Sequence, residues 1–363
     1  MARYRSVRDL DWPLLILAIS ICCLGILQIY SGTHDTIWRD AWWKQILSLA
    51  LGLLAMWMLS SIDYHTLLGR VPILYMISIG LLVAVLLIGT KVFGSRRWIP
   101  LVAGFHVQVS EFVKLVIILL VARYLSELKT DQLTAGDLLK LSGLVGLPMA
   151  LVMKQPDLGT ALSYVPILAM GVFLAGLRWR YVMVLFLAGL MLLPVGWIFL
   201  KDYQKARLVS FVDPAQDPLG SGYQVIQSKI AVGSGGMWGK GVTRGWQTQL
   251  RFLPVPHTDF IFSAFAEEHG FVGIVFALGL YFLLLMQIVQ NAQTAPDRAG
   301  MYVCMGVCAL LLFHLMVNVG MVVGRMPVTG IPLPLMSYGG SSILTVFCML
   351  GLVNNVRLRR FVN

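Results

Sequence analysis

The sequence predicts an all-α integral membrane protein with about ten transmembrane helices and one long polar loop. Three observations carry this. Of the 363 residues, 58% are hydrophobic and only 12% are charged, with a mean hydropathy of +0.79. Soluble domains bury an adequate core with roughly 45–50% apolar residues, so the excess implies contact with lipid. Apolar runs long enough to cross a bilayer recur along the chain. A lipid-facing backbone must satisfy its own hydrogen bonds, so these runs are read as helices.

The runs lie at about 12–31, 44–62, 72–90, 109–126, 138–153, 158–176, 181–200, 270–290, 302–323 and 334–355. The first is preceded by Arg3, Arg5 and Arg8, a pattern shared with secretion signals. It leads straight into further spans, which favours a retained first helix over a cleaved peptide. The run at 138–153 is the shortest and is followed closely by the next, so those two form either a tight hairpin or a broken pair.

Basic residues orient the bundle. With ten spans, one side holds both termini and Arg3, Arg5, Arg8, Arg70, Arg123, Lys129, Lys140, Arg178, Arg180, Arg298, Arg357, Arg359 and Arg360. The short loops of the other side hold Arg39, Lys44, Lys91, Arg96, Arg97, Lys154 and Arg325. The positive-inside rule places the richer side, with both termini, in the cytoplasm. The net charge of +11 then suits anionic headgroups rather than nucleic acid. The five cysteines all fall in apolar runs and read as small core residues without a disulfide framework. No Walker A, zinc, nucleophile-elbow or dinucleotide pattern occurs, which leaves ATP-driven and redox chemistry without support.

The chain reads as a single membrane domain over 1–363, with the loop at 201–269 on the outer face. Asp202 to Gly222 is polar and punctuated by Asp213-Pro214 and Asp217-Pro218, which reads as turns. Tyr223 to Val232 has helical spacing. It is expected to turn Val225, Ile226, Ile230 and Val232 to the membrane and Gln224, Gln227, Ser228 and Lys229 to water. Gly233, Gly235, Gly236, Gly239, Gly241 and Gly245 follow, interleaved with Trp238, Lys240, Arg244 and Trp246. Such a cluster permits close backbone approach, and its aromatic and basic residues argue against a plain spacer.

Four places could carry chemistry. His257-Thr258-Asp259 stands at the membrane entry, ahead of Phe260 to Phe265. A carboxylate there is costly unless a partner or a function retains it; Asp259 is a candidate catalytic acid or base, or else Thr258 or Asp259 caps the next helix. Glu111 and Lys114, after Ser110, share one helix face. They form either a structural ion pair or a site where Lys114 meets phosphate. Asp157, in Gln155-Pro156-Asp157-Leu158-Gly159-Thr160, suits a helix cap or a ligand contact. Ser337-Tyr338-Gly339-Gly340-Ser341 places small residues at the start of the last span, which allows close packing or a lined groove. Arg207 and Arg325 are candidate phosphate-binding cations, with snorkelling as the alternative.

Together these motifs resemble the SEDS family (shape, elongation, division and sporulation) of bacterial membrane proteins. The resemblance rests on Ser110-Glu111-Phe112-Val113-Lys114, Gln155 to Thr160, Tyr223 to Lys229, Gly233 to Gly236, Gly239-Lys240-Gly241, His257 to Phe262, and Pro334 to Ser341. It covers nearly the whole chain, and the stretch Gln227 to Ala231 is closer to the family's elongation members. Val255 stands where the family usually has Glu, so no role for an acid is carried to that position. The resemblance implies a peptidoglycan glycosyltransferase of the bacterial cytoplasmic membrane. Its substrate would be lipid II, an undecaprenyl-pyrophosphate-linked disaccharide peptide. Its partners would be a class B penicillin-binding protein transpeptidase and other elongation-complex membrane proteins. Asp259 would be the catalytic residue, with Glu111, Lys114, Asp157, Arg207, Lys240, His257, Thr258 and Ser337 around the substrate. A divalent cation (Mg or Mn) would suit the pyrophosphate, although the sequence shows no carboxylate cage for one. A lipid II flippase and a non-enzymatic scaffold for the transpeptidase are the alternative functions.

Overall fold

The computed structural model describes residues 10–360, apart from 93–94, 101–105, 129–132, 215–216, 218–219 and most of 178–199. Helix α1 (Trp12–Thr33) starts at Asp11, whose side chain accepts from the Leu14 N–H, with Pro13 in the first turn. Both features favour initiation at that point. Then come α2 (Ala41–Ser61), the short α3 (Tyr64–Gly69) and α4 (Val71–Ile88). An antiparallel sheet of β1 (Thr90–Val92), β2 (Ser95–Pro100) and β3 (His106–Gln108), in that order, leads into α5 (Val109–Ser126). Its register pairs Trp98 with Gln108. The chain continues through α6 (Ala135–Lys154), α7 (Leu158–Leu162) and α8 (Tyr164–Leu174). Beyond the sparsely described stretch come α9 (Asp202–Val212), α10 (Ser221–Ser234), α11 (Trp246–Gln249), α12 (Ile261–Gln293), α13 (Arg298–Val322) and α14 (Gly340–Arg359).

Seven of these, α1, α2, α4, α6, α12, α13 and α14, are long and apolar enough to cross a membrane. Helix α5 matches the expected span at 109–126 but carries Glu111, Lys114 and Arg123. It is covered by α4, α8, α13 and α14, which is how charge is tolerated at that depth. The run at 158–176 is broken at Ser163 into α7 and α8. The expected span at 181–200 lies largely outside the described residues. Outward faces are apolar, as at Ile73, Met76, Leu87 and Ile88 of α4, the pattern of a helix whose solvent is lipid. At the end of the bundle that holds the α1 N-terminus, buried Asp11 joins α1, α12 and α14. It pairs with Arg357 at 2.9 Å and accepts from Asn291 at 2.6 Å.

Several expectations need correction. The 138–153 run is a span as expected but longer, the helix α6 being secured by a Thr134–Asp137 capping box. The long loop ends earlier than residue 269, because α12 begins at Ile261 and continues across a break at Gly270. The polar stretch from Asp202 is helical as far as Val212, with irregular chain only from Asp213. The last span starts at Gly340 rather than 334. Pro332 and Pro334 offer no N–H there, and Leu335 has a positive φ of 66°, so helix cannot form. On α10 two positions depart from the expected faces: Val225 and Ser228 face inward, Ser228 donating to the Val322 carbonyl and bonding Ser263, while Ile226, Ile230 and Lys229 are exposed.

The glycine cluster is a packed element. Its Gly236 and Met237 carbonyls accept from the Phe271 and Val272 N–H groups, and the Lys240 and Gly241 N–H groups donate to the Glu267 and Glu268 carbonyls. The break at Gly270 frees those helix groups for this exchange. A Cβ at Gly235, Gly239 or Gly270 would collide with backbone of the facing segment, so only glycine allows the approach.

Candidate active site

Asp259 lies in the turn before α12. The helix N-cap is Phe260, with no side-chain cap, so neither Thr258 nor Asp259 serves as the expected cap. Among the described residues no donor hydrogen-bonds the Asp259 carboxylate. Burial raises its pKa above the ordinary carboxylate value; Asp157 acts in the same direction, and Arg207 and Arg97 oppose it. Gly330, with φ of +73°, passes so close that a Cβ there would stand 3.5 Å from Asp259 Oδ2. The Asp259 backbone is held: its carbonyl accepts from Asn318 Nδ2 at 2.9 Å.

The groups that act on Asp259 come from distant parts of the chain. Arg207, on α9, donates to the Thr329 carbonyl at 3.3 Å. Arg97, on β2, donates to the Gln155 and Pro156 carbonyls and stands 3.7 Å from Asp157 Oδ1. Asp157 accepts from the Thr160 N–H at 3.2 Å, capping α7, and from Gln108 Nε2 at 2.8 Å. Cap and site contact thus coexist in one residue. The sheet explains the geometry: pairing of β2 with β3 sets Arg97 and Gln108 on the same carboxylate.

Glu111 and Lys114 form an almost fully buried pair at 2.5 Å. Lys114 Nζ also lies 3.4 Å from His314 Nε2. The pair satisfies both charges at once, as a buried ion pair must. Ser337 Oγ donates to the Thr258 carbonyl at 2.7 Å and accepts from the Leu333 N–H at 2.8 Å. It thereby ties the His257-Thr258-Asp259 turn to the chain ahead of α14. His257 packs between Trp38 and Tyr338, with ring centroids 5.6 and 5.8 Å away. Burial lowers its pKa to about 4, so it is neutral at pH 7 and offers no charge to an anion.

Lys240 occupies a different place. Its ammonium pairs at 2.9 Å with Glu267, which also accepts from Ser234, the Gln247 and Thr248 N–H groups and the Thr248 hydroxyl. Glu268, beside it, accepts from Gln28 and Ser31 of α1. These two buried glutamates fasten the glycine-rich loop and α1 to α12. Lys240 is not among the charges acting on Asp259. Of the expected residues, the structure brings Asp259, Asp157 and Arg207 together, with Thr258 and Ser337 tied in the same turn. It adds Arg97, Gln108, Asn318 and Gly330, which the sequence did not single out. The Arg96-Arg97 pair between two spans and the glutamine two residues before Ser110 were the available signals.

Metal fit is poor. Among the described residues no three His, Cys, Asp or Glu side chains converge, and Asp157 is already engaged by Arg97 and Gln108. Two cavities, of about 320 and 490 Å³, lie around Leu125, Arg123 and Arg298. They sit near the far end of α5 from Ser110, roughly 25 Å along the helix at 1.5 Å per residue, and take no part in this cluster.

A membrane bundle with acids and arginines gathered at one end is the class of protein these features define. The family model described as "Cell cycle protein", covering FtsW, RodA and SpoVE, matches residues 11–360, and the chain belongs to this family. It is 39% identical over 356 residues to the peptidoglycan glycosyltransferase MrdB of Escherichia coli (strain K12), covering 97% of this chain and 94% of that one. It is 34% identical to the peptidoglycan glycosyltransferase RodA of Treponema pallidum (strain Nichols), covering 99% and 100%. Among solved structures, it is similar to a chain described under structural coordination of polymerization and crosslinking by a peptidoglycan synthase complex (TM-score 0.84, 36% identity, 98% and 99% covered). It also resembles the Thermus thermophilus rod shape determining protein RodA (TM-score 0.72, 30% identity, 97% and 98% covered).

Proposed function

We propose that this protein is a peptidoglycan glycosyltransferase that polymerises lipid II during cell elongation, with Asp259 as general base. The observation that carries the mechanism is the state of Asp259: a half-buried carboxylate that caps no helix and accepts no hydrogen bond among the described residues. The curated relatives named peptidoglycan glycosyltransferases support the reaction class.

The chemistry follows from the substrate. Lipid II carries its sugar through an α-linked diphosphate, and the polymer is β-1,4 linked, so one inverting displacement suffices. The acceptor C4 hydroxyl attacks the anomeric carbon and gives its proton to Asp259. The C–O bond to the diphosphate breaks, and undecaprenyl pyrophosphate leaves with the electron pair. A raised pKa suits a base that works near neutral pH better than an ordinary aspartate does. Arg207 and Arg97 are the cations set to meet the leaving diphosphate, with Arg97 oriented by Asp157. The Glu111–Lys114 pair supports the wall of the site. The described residues do not form a cation cage, and no step is routed through a metal.

The reading places this end of the bundle on the outer face of the cytoplasmic membrane, with both termini inside, on the distribution of arginine and lysine. It also places a class B penicillin-binding protein beside the chain, supported by the resemblance to a polymerising and crosslinking complex. Purified protein given labelled lipid II in detergent tests the function. Glycan chains are expected without a second polymerase. A flippase or a scaffold would make none, and that result would overturn the proposal.

A further inference from the structure

Asn318 sits near the C-terminal end of α13, four residues before Val322, and is fully buried in a largely apolar helix. Its amide has two protons, and both are used on carbonyls from separate segments: Asp259 at 2.9 Å and Ile331 at 2.9 Å. One helical turn earlier, His314 Nε2 lies 3.4 Å from Lys114 Nζ. Residues four apart share a face, so the face of α13 that bears Asn318 also bears His314.

The strip of chain at 329–333 meets Arg207, Asp259, α7 and Ser337. Arg207 holds the Thr329 carbonyl. Gly330 lies against the Asp259 carboxylate, and a Cβ on Gly159, in α7, would press on Thr329 and Ile331. The Leu333 N–H donates to Ser337, which in turn holds Thr258. Asn318 is the one side chain among the described residues that bonds both this strip and Asp259. Its Oδ1 is buried and makes no hydrogen bond. The two donated bonds satisfy carbonyls of two separate segments, so leucine would cost stability as well as the placement of one segment against the other.

We infer that Asn318 is a positioning residue for glycosyl transfer, locking the Asp259 backbone to the 329–333 strip so that carboxylate and Arg207 keep one spacing. This rests on Asp259 being the base. A positioning residue acts on the transition state more than on substrate binding, and a misplacement of about 1 Å costs as much as 10²-fold.

The test is steady-state polymerisation by the full-length protein, with lipid II as substrate, for Asn318→Leu and Asn318→Ser. The serine variant is small, polar and leaves room for water should leucine disturb folding. The expected result is a kcat lower by about 10–100-fold, with KM for lipid II held and folded protein still recovered, at a lower melting temperature, for at least one of the two variants. In an Asp259→Asn background, Asn318→Leu should add no further loss, since the group it positions is already disabled. Loss through KM alone, a loss that multiplies with Asp259→Asn, or loss of folded protein in both Asn318 variants would overturn the inference. Near wild-type activity of Asp259→Asn alone would instead remove the reading beneath it.

Discussion

Replacing Asp259 by asparagine separates chemistry from fold more cleanly here than at most catalytic acids. The carboxylate accepts no hydrogen bond among the described residues and caps no helix, so the amide forfeits only the attraction of Arg207 and Arg97, which burial outweighs. What it removes is basicity. General-base assistance is typically worth 10²–10⁴-fold, or roughly 2.7–5.5 kcal/mol of transition-state stabilisation. Stability should move the other way. Burial raises the folded-state pKa of Asp259, so ionisation is disfavoured by folding. That cost begins as pH climbs past the unfolded carboxylate value and is complete above the folded one. Asp259→Asn should therefore melt at the same or a higher temperature than wild type at pH 7, with the difference vanishing in acid. The assays are polymerisation of labelled lipid II in detergent and thermal unfolding at pH 7 and pH 4. A variant that polymerises at near wild-type rate would refute the general-base argument. One that is markedly less stable at pH 7 would show that the carboxylate has a structural partner after all.

Three further outcomes follow from the same geometry. Arg97→Gln and Arg207→Gln each remove a charge that lowers the Asp259 pKa, so the acid limb of kcat/KM should move to higher pH, while Asp157→Asn should move it to lower pH; a pH–rate series in which all three shift alike would contradict the assignment. Glu267→Gln strands Lys240 and weakens an acceptor with five donors, and should cost about 3–5 kcal/mol. Lys240→Met should cost clearly less, because the other four donors to Glu267 remain, and equal losses in thermal unfolding would argue against the knot. A cysteine at Arg251, exposed in the loop before Asp259, should react with a membrane-impermeant thiol reagent in intact spheroplasts, and labelling only after lysis would reverse the orientation.

The parts of this fold that were legible in the sequence are those set by local rules. Helical spacing alone puts Glu111 and Lys114 on one face, and the structure pairs them. Asp157 before Leu158 is a cap by its position, and it caps. The spans follow from runs of apolar residues, and their ends were misplaced where a helix is cut or extended by tertiary contact. Gly270 breaks α12, yet the glycine loop takes up the freed backbone groups, so helix continues back to Ile261 and takes the expected cap away from Asp259. The inward turn of Ser228 was hidden for a related reason. A serine on an amphipathic helix reads as solvent-facing until its acceptor, a carbonyl on α13, is known.

Arg207 and Lys240 show why the site itself was only half legible. In the sequence they are equivalent: basic residues in one polar loop, each a candidate for diphosphate. What distinguishes them is the nearest carboxylate. Lys240 meets a buried glutamate that is already committed to four other donors, and its charge is consumed in fastening the loop. Arg207 reaches the carbonyl of Thr329, beside the glycine that lines Asp259, and its charge is felt by the carboxylate. Arg97 joins it from a strand more than one hundred residues away in the chain. No local pattern reports such meetings, because they are fixed by the packing of β2 against α4 and α5 and by the hold of α13 on strip 329–333. The chemistry of this end of the bundle thus belongs to residues whose types are ordinary and whose partners are distant.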